Sequence, residues 1–406
     1  MRSPIAQLNG DMPRRILQGF ENSRHGLRVY LMDRVAAGAR KGGTPAQRGT
    51  IPGTERVLCL NEADGTILWK HEYDCSYDMD YPAGPRATPI VRDGRVYAVG
   101  AMGNLFCLNA ADGKVIWSHD YKTDYEAKVP MWGFASNPLL DGNKLICVVG
   151  GQGSVAVAFD KDTGKEMWKA LSAREPGYNP PMIFEAGGKR QLIVWHPEAI
   201  NSLNPETGET YWSEPFVVKA GLTVPTPRKD GDKLFVTCFY NGPMMLQLSK
   251  DKPGATMLWR GSSNSEKNTD KLHSIISTPV IEDGYIYGVC SFGQLRCLRE
   301  DTGERVWESF DATGTTGDVG GQKDRWRTAF IIKNGKRFFL FNEQGDLIIA
   351  HLTPKGYEEV GRAHLLDPTN HNPARGVVWS HPAFANKCIY ARNDKEIVCY
   401  SLAAGK

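Results

Sequence analysis

The sequence predicts an all-β fold, an eight-bladed β-propeller, from three observations. Six tryptophans recur at intervals of 44 to 51 residues, and five of them stand four residues after a glycine. Each interval also contains four short runs of aliphatic and aromatic residues separated by turn residues. A fixed period of this size is typical of repeat architectures, and four-stranded repeats form propeller blades. The tryptophans are Trp69, Trp117, Trp168, Trp212, Trp259 and Trp307.

The repeat unit is clearest between Ala87 and Trp117. Its strand-like runs are divided by turns at Asp93-Gly94, around Gly103 and at Gly113, which predicts four antiparallel strands. Glycine in the last turn supplies the positive φ that a short hairpin requires. The tryptophan falls in the fourth strand, where we expect its large side chain to dock between neighbouring blades in a structural role.

The units number eight. Seven of them begin near Ala87, Asn137, Asn179, Thr226, Thr278, Thr328 and His381, and a further unit precedes these. In blade seven Tyr357 stands in the fourth strand in place of the tryptophan. Blade eight has only three strands before the chain ends, so ring closure requires a strand from the N-terminal segment.

The N-terminal segment does not show that strand. Residues 1–26 are interrupted by Gly10, Pro13 and Gly19, and they have neither an alternating apolar face nor the apolar core of a secretory signal. We expect residues 1–26 to form a divergent or poorly ordered segment and residues 27–406 to form one propeller domain. Closure between blades eight and one is expected to be imperfect, as in a chain with a truncated or frame-shifted start.

The recurrent pattern Asp/Asn-x-x-Thr-Gly-x-x-x-Trp resembles the repeat of pyrroloquinoline quinone (PQQ)-like propellers. The resemblance runs from about Leu27 to Leu402. The segments PAGPRATP, WGFASNP, VWHPEAINSL and FNEQGDLIIA are similar to the planctomycete-type PQQ-binding-like repeat group. More distant resemblances are to quinoprotein alcohol dehydrogenases and to the propeller lipoprotein of outer-membrane protein assembly. The resemblance implies an exported or periplasmic location, and PQQ with Ca²⁺ as the cofactor to test.

Candidate ligand-binding residues stand in the segments that lead into the first strands of the blades. They are aromatic, basic or amide side chains, a set that suits a funnel for a planar anion. The alternative interpretation is that they are turn residues that cap strands. The candidates are Arg86, Trp132, Tyr178, Asn179, Trp326, Arg327, Trp379 and His381. His196 and Glu198 follow the second strand of blade four, and the sequence leaves open which face they occupy.

Composition excludes several classes of function. A net charge of +3 does not favour nucleic-acid binding, and no apolar run reaches the length of a membrane span. The nine cysteines form no Cys-x-x-Cys pair. Four of them share one position in the third strand of their blades, which indicates packing rather than metal binding. These are Cys59, Cys107, Cys297 and Cys399.

The sequence favours a non-catalytic propeller that presents a central funnel and loops to a protein or a small ligand, as a monomer. The alternative is a PQQ-dependent oxidoreductase of alcohols or sugars with a divergent active site. By family resemblance, the dehydrogenases hold the quinone against a disulfide of adjacent cysteines and a Ca²⁺ ion. No two cysteines are adjacent here, and no acidic cluster has a spacing that assigns Ca²⁺. No catalytic residue or metal ligand is therefore predicted.

Overall fold

The fold is an eight-bladed β-propeller of four-stranded antiparallel sheets, which confirms the predicted fold class. The computed structural model describes residues 2–7, 18–23, 26–38, 50–81, 84–315, 317, 321–372 and 375–403. The chain divides into two compact units, Met1–Ser172 with Trp379–Lys406, and Ala173–Val378. Each unit contains four blades.

The first unit contains blades 1, 2, 3 and 8. Blade 1 consists of β2 (Gln18–Ser23), β3 (Gly26–Ala36), β4 (Gly53–Asn61) and β5 (Ile67–Asp74). Blade 2 consists of β6 (Ile90–Arg92), β7 (Arg95–Val99), β8 (Asn104–Asn109) and β9 (Val115–Asp120). The one-turn helix α1 (Tyr121–Asp124) follows. Blade 3 consists of β10 (Leu139–Asp141), β11 (Lys144–Val148), β12 (Ala156–Asp160) and β13 (Glu166–Ala170). Blade 8 combines β1 (Arg2–Gln7) with β32 (Ala383–Ala385), β33 (Cys388–Arg392) and β34 (Glu396–Ser401).

The second unit contains blades 4 to 7. Blade 4 consists of β14 (Met182–Ala186), β15 (Lys189–His196), β16 (Ala199–Leu203) and β17 (Thr210–Pro215). A 3₁₀ turn (Lys219–Gly221) leads to blade 5, with β18 (Arg228–Asp230), β19 (Lys233–Cys238), β20 (Gly242–Leu248) and β21 (Ala255–Arg260). Blade 6 consists of β22 (Val280–Glu282), β23 (Tyr285–Val289), β24 (Leu295–Arg299) and β25 (Arg305–Ser309). Blade 7 consists of β26 (Ala329–Asn334), β27 (Arg337–Asn342), β28 (Asp346–Thr353) and β29 (Gly356–His364). A small ribbon of β30 (Asn370–Asn372) and β31 (Arg375–Val377) follows.

Strands are named A to D within each blade, with D supplied by β1 in blade 8. Because the strands are antiparallel, the D–A loops and the B–C turns of a blade share one edge of its sheet, called here the loop edge. The A–B and C–D turns share the opposite edge, called here the turn edge. The sequence candidates stand in D–A loops or beside a B–C turn, so each lies at the loop edge of its own blade.

A β-bulge stands in the C–D pairing of each of blades 1 to 7. In blade 1, Cys59 pairs with Trp69 while Leu60 pairs with Ile67, so Leu68 is the extra residue. A bulge re-aims the neighbouring side chains. Trp69 is buried, whereas Leu68 points outward and is 47% exposed. The bulge therefore explains why a row of aliphatic side chains lies on the outside of the D strands.

The docking tryptophans reach the next blade through the indole N–H. Trp69 Nε1 donates to the carbonyl of Ala110 at 2.9 Å, and Trp117 Nε1 donates to the carbonyl of Lys161 at 3.1 Å. Trp259 and Trp307 make the same bond to Glu300 and Thr353, both at 2.8 Å. Each acceptor belongs to the C–D hairpin of the following blade. An indole buried between blades thus keeps its only donor satisfied.

The glycine of the repeat has two physical reasons to be glycine. Gly113 has φ +73°, in the left-handed region that other residues avoid. A Cβ atom at Gly113 would also lie 2.5 Å from the ring of Trp69. At Gly164 the φ is +75°, and a Cβ atom would lie 2.7 Å from the ring of Trp117. The glycine of each such hairpin contacts the tryptophan of the preceding blade, and the tryptophan four residues later contacts the following blade. The four-residue spacing therefore reflects a single hairpin.

Trp212 departs from this arrangement. Its Nε1 donates to Gln191 Oε1 of its own blade at 2.8 Å. The corresponding hairpin of blade 5 is one residue longer, and a Cβ atom at Gly254 would meet no tryptophan. Instead, the backbone of Lys252 approaches Gly187, where a Cβ atom would lie 2.3 Å away. Blades 4 and 5 therefore pack through backbone contact at this position rather than through an indole.

Blade 8 receives a strand from the beginning of the chain. β1 pairs antiparallel with β34, and β2 pairs with β3 as the A strand of blade 1. The count of strands in blade 8 predicts such a closing strand, but the residue pattern of 1–26 does not show where it lies. β1 has only one neighbour in its sheet, and its register shifts between Pro4 and Gln7. Such a position tolerates proline and needs no alternating pattern, which is why the sequence did not reveal it. Residues 8–17 and 24–25 lie outside the described residues.

The hydrophobic core lies between blades. One cluster joins Tyr97 and Leu105 of blade 2 to Leu145 and Phe159 of blade 3, and another joins blades 6 and 7 around Leu340. No described sheet extends from one blade into another, so within each unit the blades are joined by side-chain packing and by hydrogen bonds such as those of the indoles.

Among the described residues, none of the helices is long or apolar enough to span a bilayer.

Candidate functional site

Arg86 shapes the D–A loop that leads into blade 2. Its side chain is buried, and Nη2 donates to the carbonyls of Asp80 and Tyr81 at 3.2 and 2.6 Å. Nη1 lies 3.4 Å from the sulfur of Met79. The guanidinium of this candidate residue therefore bonds to the backbone of its own loop.

The loop held by Arg86 presents apolar side chains at the loop edge of the first unit. Tyr81 adopts φ +51°, a conformation rare for a bulky residue, and is 42% exposed. Asp80 N donates to the carbonyl of Met131, whose side chain is 51% exposed. Trp379 is half-buried, with its ring edge-on to Tyr81 at 6.4 Å between centroids. We call Tyr81, Met131, Trp132 and Trp379 the aromatic patch.

Two further candidates in this unit differ in burial. Trp132 is half-buried next to Met131. His381 is exposed, and its Nδ1 lies 2.7 Å from the carbonyl of Pro382. All three candidate aromatics and histidines of this unit thus stand at the loop edge with part of their surface in solvent.

Tyr178, Asn179 and His196 come together at the loop edge of blade 4. Asn179 is buried, and its Nδ2 donates to the carbonyls of Trp195 and Thr223 at 2.8 and 3.1 Å. Tyr178 N donates to the Thr223 carbonyl at 3.3 Å. Asn179 therefore joins the D–A loops before and after blade 4, and it has a positioning role.

His196 and Glu198 form the B–C turn of blade 4, which answers the question that the sequence left open. His196 Nδ1 accepts from the backbone N–H groups of Glu198 and Ala199 at 3.2 and 3.3 Å. Burial lowers the pKa of His196, and the charge of Glu198 opposes that effect. Glu198 accepts from the backbone N–H and Nε of Arg174, both at 3.2 Å, which lower its pKa.

Arg327 lies in a buried ion network before blade 7. Its Nε is 3.0 Å from Asp324 Oδ1 and 3.7 Å from Glu343 Oε1, and both carboxylates are fully buried. Nη1 donates to the carbonyls of Thr313 and Gly314 at 2.9 and 2.8 Å. Burial lowers the pKa of Arg327 despite the two carboxylates. Arg375 of β31 also pairs with Glu343.

Trp326 is held next to this network. It adopts φ +65°, and its N–H donates to the carbonyl of Ser291 at 2.9 Å. The guanidinium of Arg325 lies 4.4 Å from the centre of the indole and forms a bidentate pair with Glu266. A bulky residue in the left-handed region persists only where its surroundings fix it. The ion network and the stacked arginine supply that fixation.

The described residues do not match a PQQ and Ca²⁺ site. PQQ is a planar tricarboxylate, so a binding site needs cationic side chains whose N–H donors are not already bonded to other groups. Arg86 and Arg327 are bonded to carbonyls or carboxylates of their own loops. Within the described part of the chain, no group of three or more His, Cys, Asp or Glu side chains could hold a metal ion. The nine cysteines are free thiols, so no disulfide faces a quinone.

Sequence reasoning missed the partners of the candidate arginines. Glu343 and Arg375 join the Arg327 network from distances of 16 and 48 residues along the chain. Asp324 stands three residues before Arg327, and this local pair was the one signal available. The Arg174–Glu198 pair likewise links residues that the sequence separates by 24 positions.

Comparison with known proteins places the chain among propellers. The sequence matches the family described as outer membrane protein assembly factor BamB over residues 53–309 and 196–406. BamB from Moraxella catarrhalis is 15% identical, with a TM-score of 0.58 over 98% of this chain and 97% of that one. Quinohemoprotein alcohol dehydrogenase from Comamonas testosteroni is 11% identical, with a TM-score of 0.59 over 98% and 75%. The computationally designed Ika8 protein is 10% identical, with a TM-score of 0.57 over 98% and 99%.

No curated protein sequence shows a significant match. At these identities the solved structures establish the fold alone, whereas the family match covers every residue from 53 to the end of the chain. The chain therefore belongs to the PQQ-repeat propeller family described as outer membrane protein assembly factor BamB.

Proposed function

We propose that this chain is a non-catalytic docking protein whose loop edge binds another protein during outer-membrane protein assembly, in the periplasm. The observation that carries the proposal is that, at the loop edge of the first unit, the basic side chain is bonded to its own loop while apolar side chains are exposed. Arg86 donates its hydrogen bonds to carbonyls of its own loop, and that loop exposes Tyr81 beside Met131 of the next D–A loop. Tyrosine, tryptophan and methionine are enriched at the cores of protein interfaces.

The conformation of the aromatic patch supports docking over ligand capture. Tyr81 is fixed in a strained backbone conformation with its ring edge-on to Trp379, so little side-chain freedom is lost when a partner covers it. Its neighbours Met131 and Trp132 come from a different D–A loop. A patch built from separate loops offers a broad surface, which suits a protein better than a small molecule.

The alternative function is a PQQ-dependent oxidoreductase. Its support is the likeness of fold to the quinohemoprotein alcohol dehydrogenase, which extends over 98% of this chain. Against it stands the state of Arg327, because a quinone carboxylate would have to displace Asp324 and Glu343 from that guanidinium. Removing a buried partner from an ion pair is costly, so the docking role is preferred.

Site-specific photo-crosslinking in the producing cells tests the docking proposal. We expect p-benzoylphenylalanine placed at Tyr81 or at Met131 to give one discrete adduct with the same partner protein. The matched controls are Lys114 and Lys165, which are exposed residues of C–D turns at the turn edge of blades 2 and 3. These positions should give no such adduct.

Equal adducts from both edges would contradict a specific docking surface. The absence of any adduct from Tyr81 and Met131, with the protein folded and abundant, would also contradict it. Mass spectrometry of the adduct then identifies the partner, and a protein with no connection to the outer membrane would overturn the assembly role.

A further inference from the structure

We propose that His196 is a hydrogen-bond donor for a neutral amide carbonyl, such as the backbone of a docked peptide segment. The binding position, called here the blade-4 corner, consists of His196 with Val217 and Thr223. Blade 4 contributes His196 through its B–C turn, and the D–A loop that follows contributes Val217 and Thr223. The proposal rests on the docking role, because it names the chemical group that this part of the loop edge would recognise.

The tautomer of His196 follows from its contacts. Nδ1 faces two backbone N–H groups, at 3.2 and 3.3 Å, and must therefore accept from them. A neutral imidazole with an acceptor at Nδ1 carries its proton at Nε2. Burial favours the neutral form, which agrees with the lowered pKa of this group. The imidazole therefore donates a hydrogen bond only through Nε2.

The Nε2 atom of His196 makes no hydrogen bond to the described residues. The side chain is 5% exposed. Nε2 is not one of the fully buried polar atoms that lack a partner, so it reaches the surface, where a ligand oxygen can accept its hydrogen bond. Thr223 adds a second polar atom, since its hydroxyl is buried and bonds to none of the described residues.

The blade-4 corner also exposes an apolar side chain, Val217, on a backbone segment that is bonded to the B–C turn. Phe216 N donates to the carbonyl of Glu198 at 2.9 Å, and Val218 N donates to the carbonyl of Pro197 at 2.7 Å. Val217, between these two bonds, is 62% exposed. A peptide with an apolar side chain could cover Val217 while its carbonyl meets the imidazole. Alternation of apolar and carbonyl contacts is what an extended peptide supplies.

Local charge selects a neutral acceptor over a carboxylate. Glu198 is adjacent in the turn, and Glu175 approaches the same turn from the preceding loop. The Oε2 atom of Glu175 would lie 2.4 Å from a Cβ at Gly221, and Pro197 lies 3.6 Å from that same point. That oxygen is buried and accepts no hydrogen bond from the described residues. Of these two carboxylates, Glu198 pairs with Arg174, whereas Glu175 has no cationic partner among the described residues. The charge of Glu175 would therefore repel an incoming anion.

Long-range ¹H–¹⁵N NMR of the full chain tests the proposal without any partner protein. At pH 7.5 we expect His196 in the Nε2–H form. Addition of N-methylacetamide should shift the Nε2 resonance saturably, together with the methyl resonances of Val217, while acetate at equal concentration should leave both in place. The remaining histidines serve as internal controls for non-specific effects.

The matched variant is His196→Asn. Asparagine can keep an oxygen acceptor for the Glu198 and Ala199 amides while removing the distal donor. The N-methylacetamide concentration for half of the Val217 shift should rise by about threefold to tenfold, the range expected for one hydrogen bond. An unchanged concentration in a folded variant would overturn the proposal, as would an Nδ1–H tautomer, a charged ring at pH 7.5 or an equal response to acetate.

These outcomes separate the two proposals. If the amide binds at His196 but Tyr81 and Met131 give no adducts, the docking role fails and the donor assignment stands. If adducts form but N-methylacetamide does not shift the Nε2 resonance, the docking role stands and the blade-4 corner does not bind the partner through an amide carbonyl.

Discussion

Replacement of Trp69 by alanine is expected to lower the free energy of unfolding by about 3–5 kcal/mol, the cost of a large-to-small change in a core. Trp69 is 8% exposed, packs against Tyr30 and Gly113, and bonds to Ala110 of the next blade. The variant loses apolar burial on both sides of the seam between blades 1 and 2. Urea unfolding followed by circular dichroism measures the change.

Tyr357→Ala is the control for this prediction. Tyr357 lies in the fourth strand of blade 7 and is only half-buried. Contrary to the expectation from the sequence, Gly361 rather than Tyr357 holds the register position of the docking tryptophans. The phenol of Tyr357 bonds to Glu359 of the same strand rather than to another blade. We expect a loss of about 1–2 kcal/mol, in proportion to its smaller buried area. If both variants lose equal stability, the tryptophans do not act as wedges between blades.

Replacement of Arg327 by leucine is expected to cost about 3–5 kcal/mol, because it leaves two buried carboxylates without their central cation. Asp324 and Glu343 have no solvent exposure, and Arg375 still pairs with Glu343 in the variant. The same urea experiment applies. Trp326, which stacks on Arg325 and directly precedes Arg327 in the chain, should also show a changed fluorescence maximum as its surroundings loosen.

Arg325→Leu is the matched control, two positions away in the same loop. Its bidentate pair with Glu266 is partly exposed to solvent, and such pairs contribute about 1 kcal/mol or less. A large loss in Arg325→Leu together with a small loss in Arg327→Leu would contradict a buried network centred on Arg327. It would also reopen Arg327 as a cation for a bound anion.

The blades could be predicted because their determinants are local. One hairpin contains both the glycine and the tryptophan, so a spacing of four residues reports on the fold directly. The same logic explains the exception at Trp212, since the longer hairpin around Gly254 was visible in the sequence. Strand β1 could not be predicted, because its pairing with β34 spans nearly the whole chain and its single neighbour demands no apolar pattern.

The sequence shows which loops contain the candidate residues, but it does not show the contacts that each side chain makes. D–A loops could be counted from the repeat, and the candidates do lie at the loop edge. The role of each side chain depends on partners distant in sequence, such as Glu343 for Arg327 or the carbonyl of Thr223 for Asn179. From the sequence alone, a basic or amide side chain that binds a ligand cannot be distinguished from one that bonds to the backbone of its own loop.

The most direct test of the non-catalytic account is a titration of the purified chain with PQQ in the presence of Ca²⁺, followed by tryptophan fluorescence. The account predicts no saturable quenching beyond that of free tryptophan, and no reduction of an artificial electron acceptor with alcohols or sugars. Saturable quenching with one-site stoichiometry, together with sustained PQQ-dependent turnover, would contradict it and establish the oxidoreductase alternative.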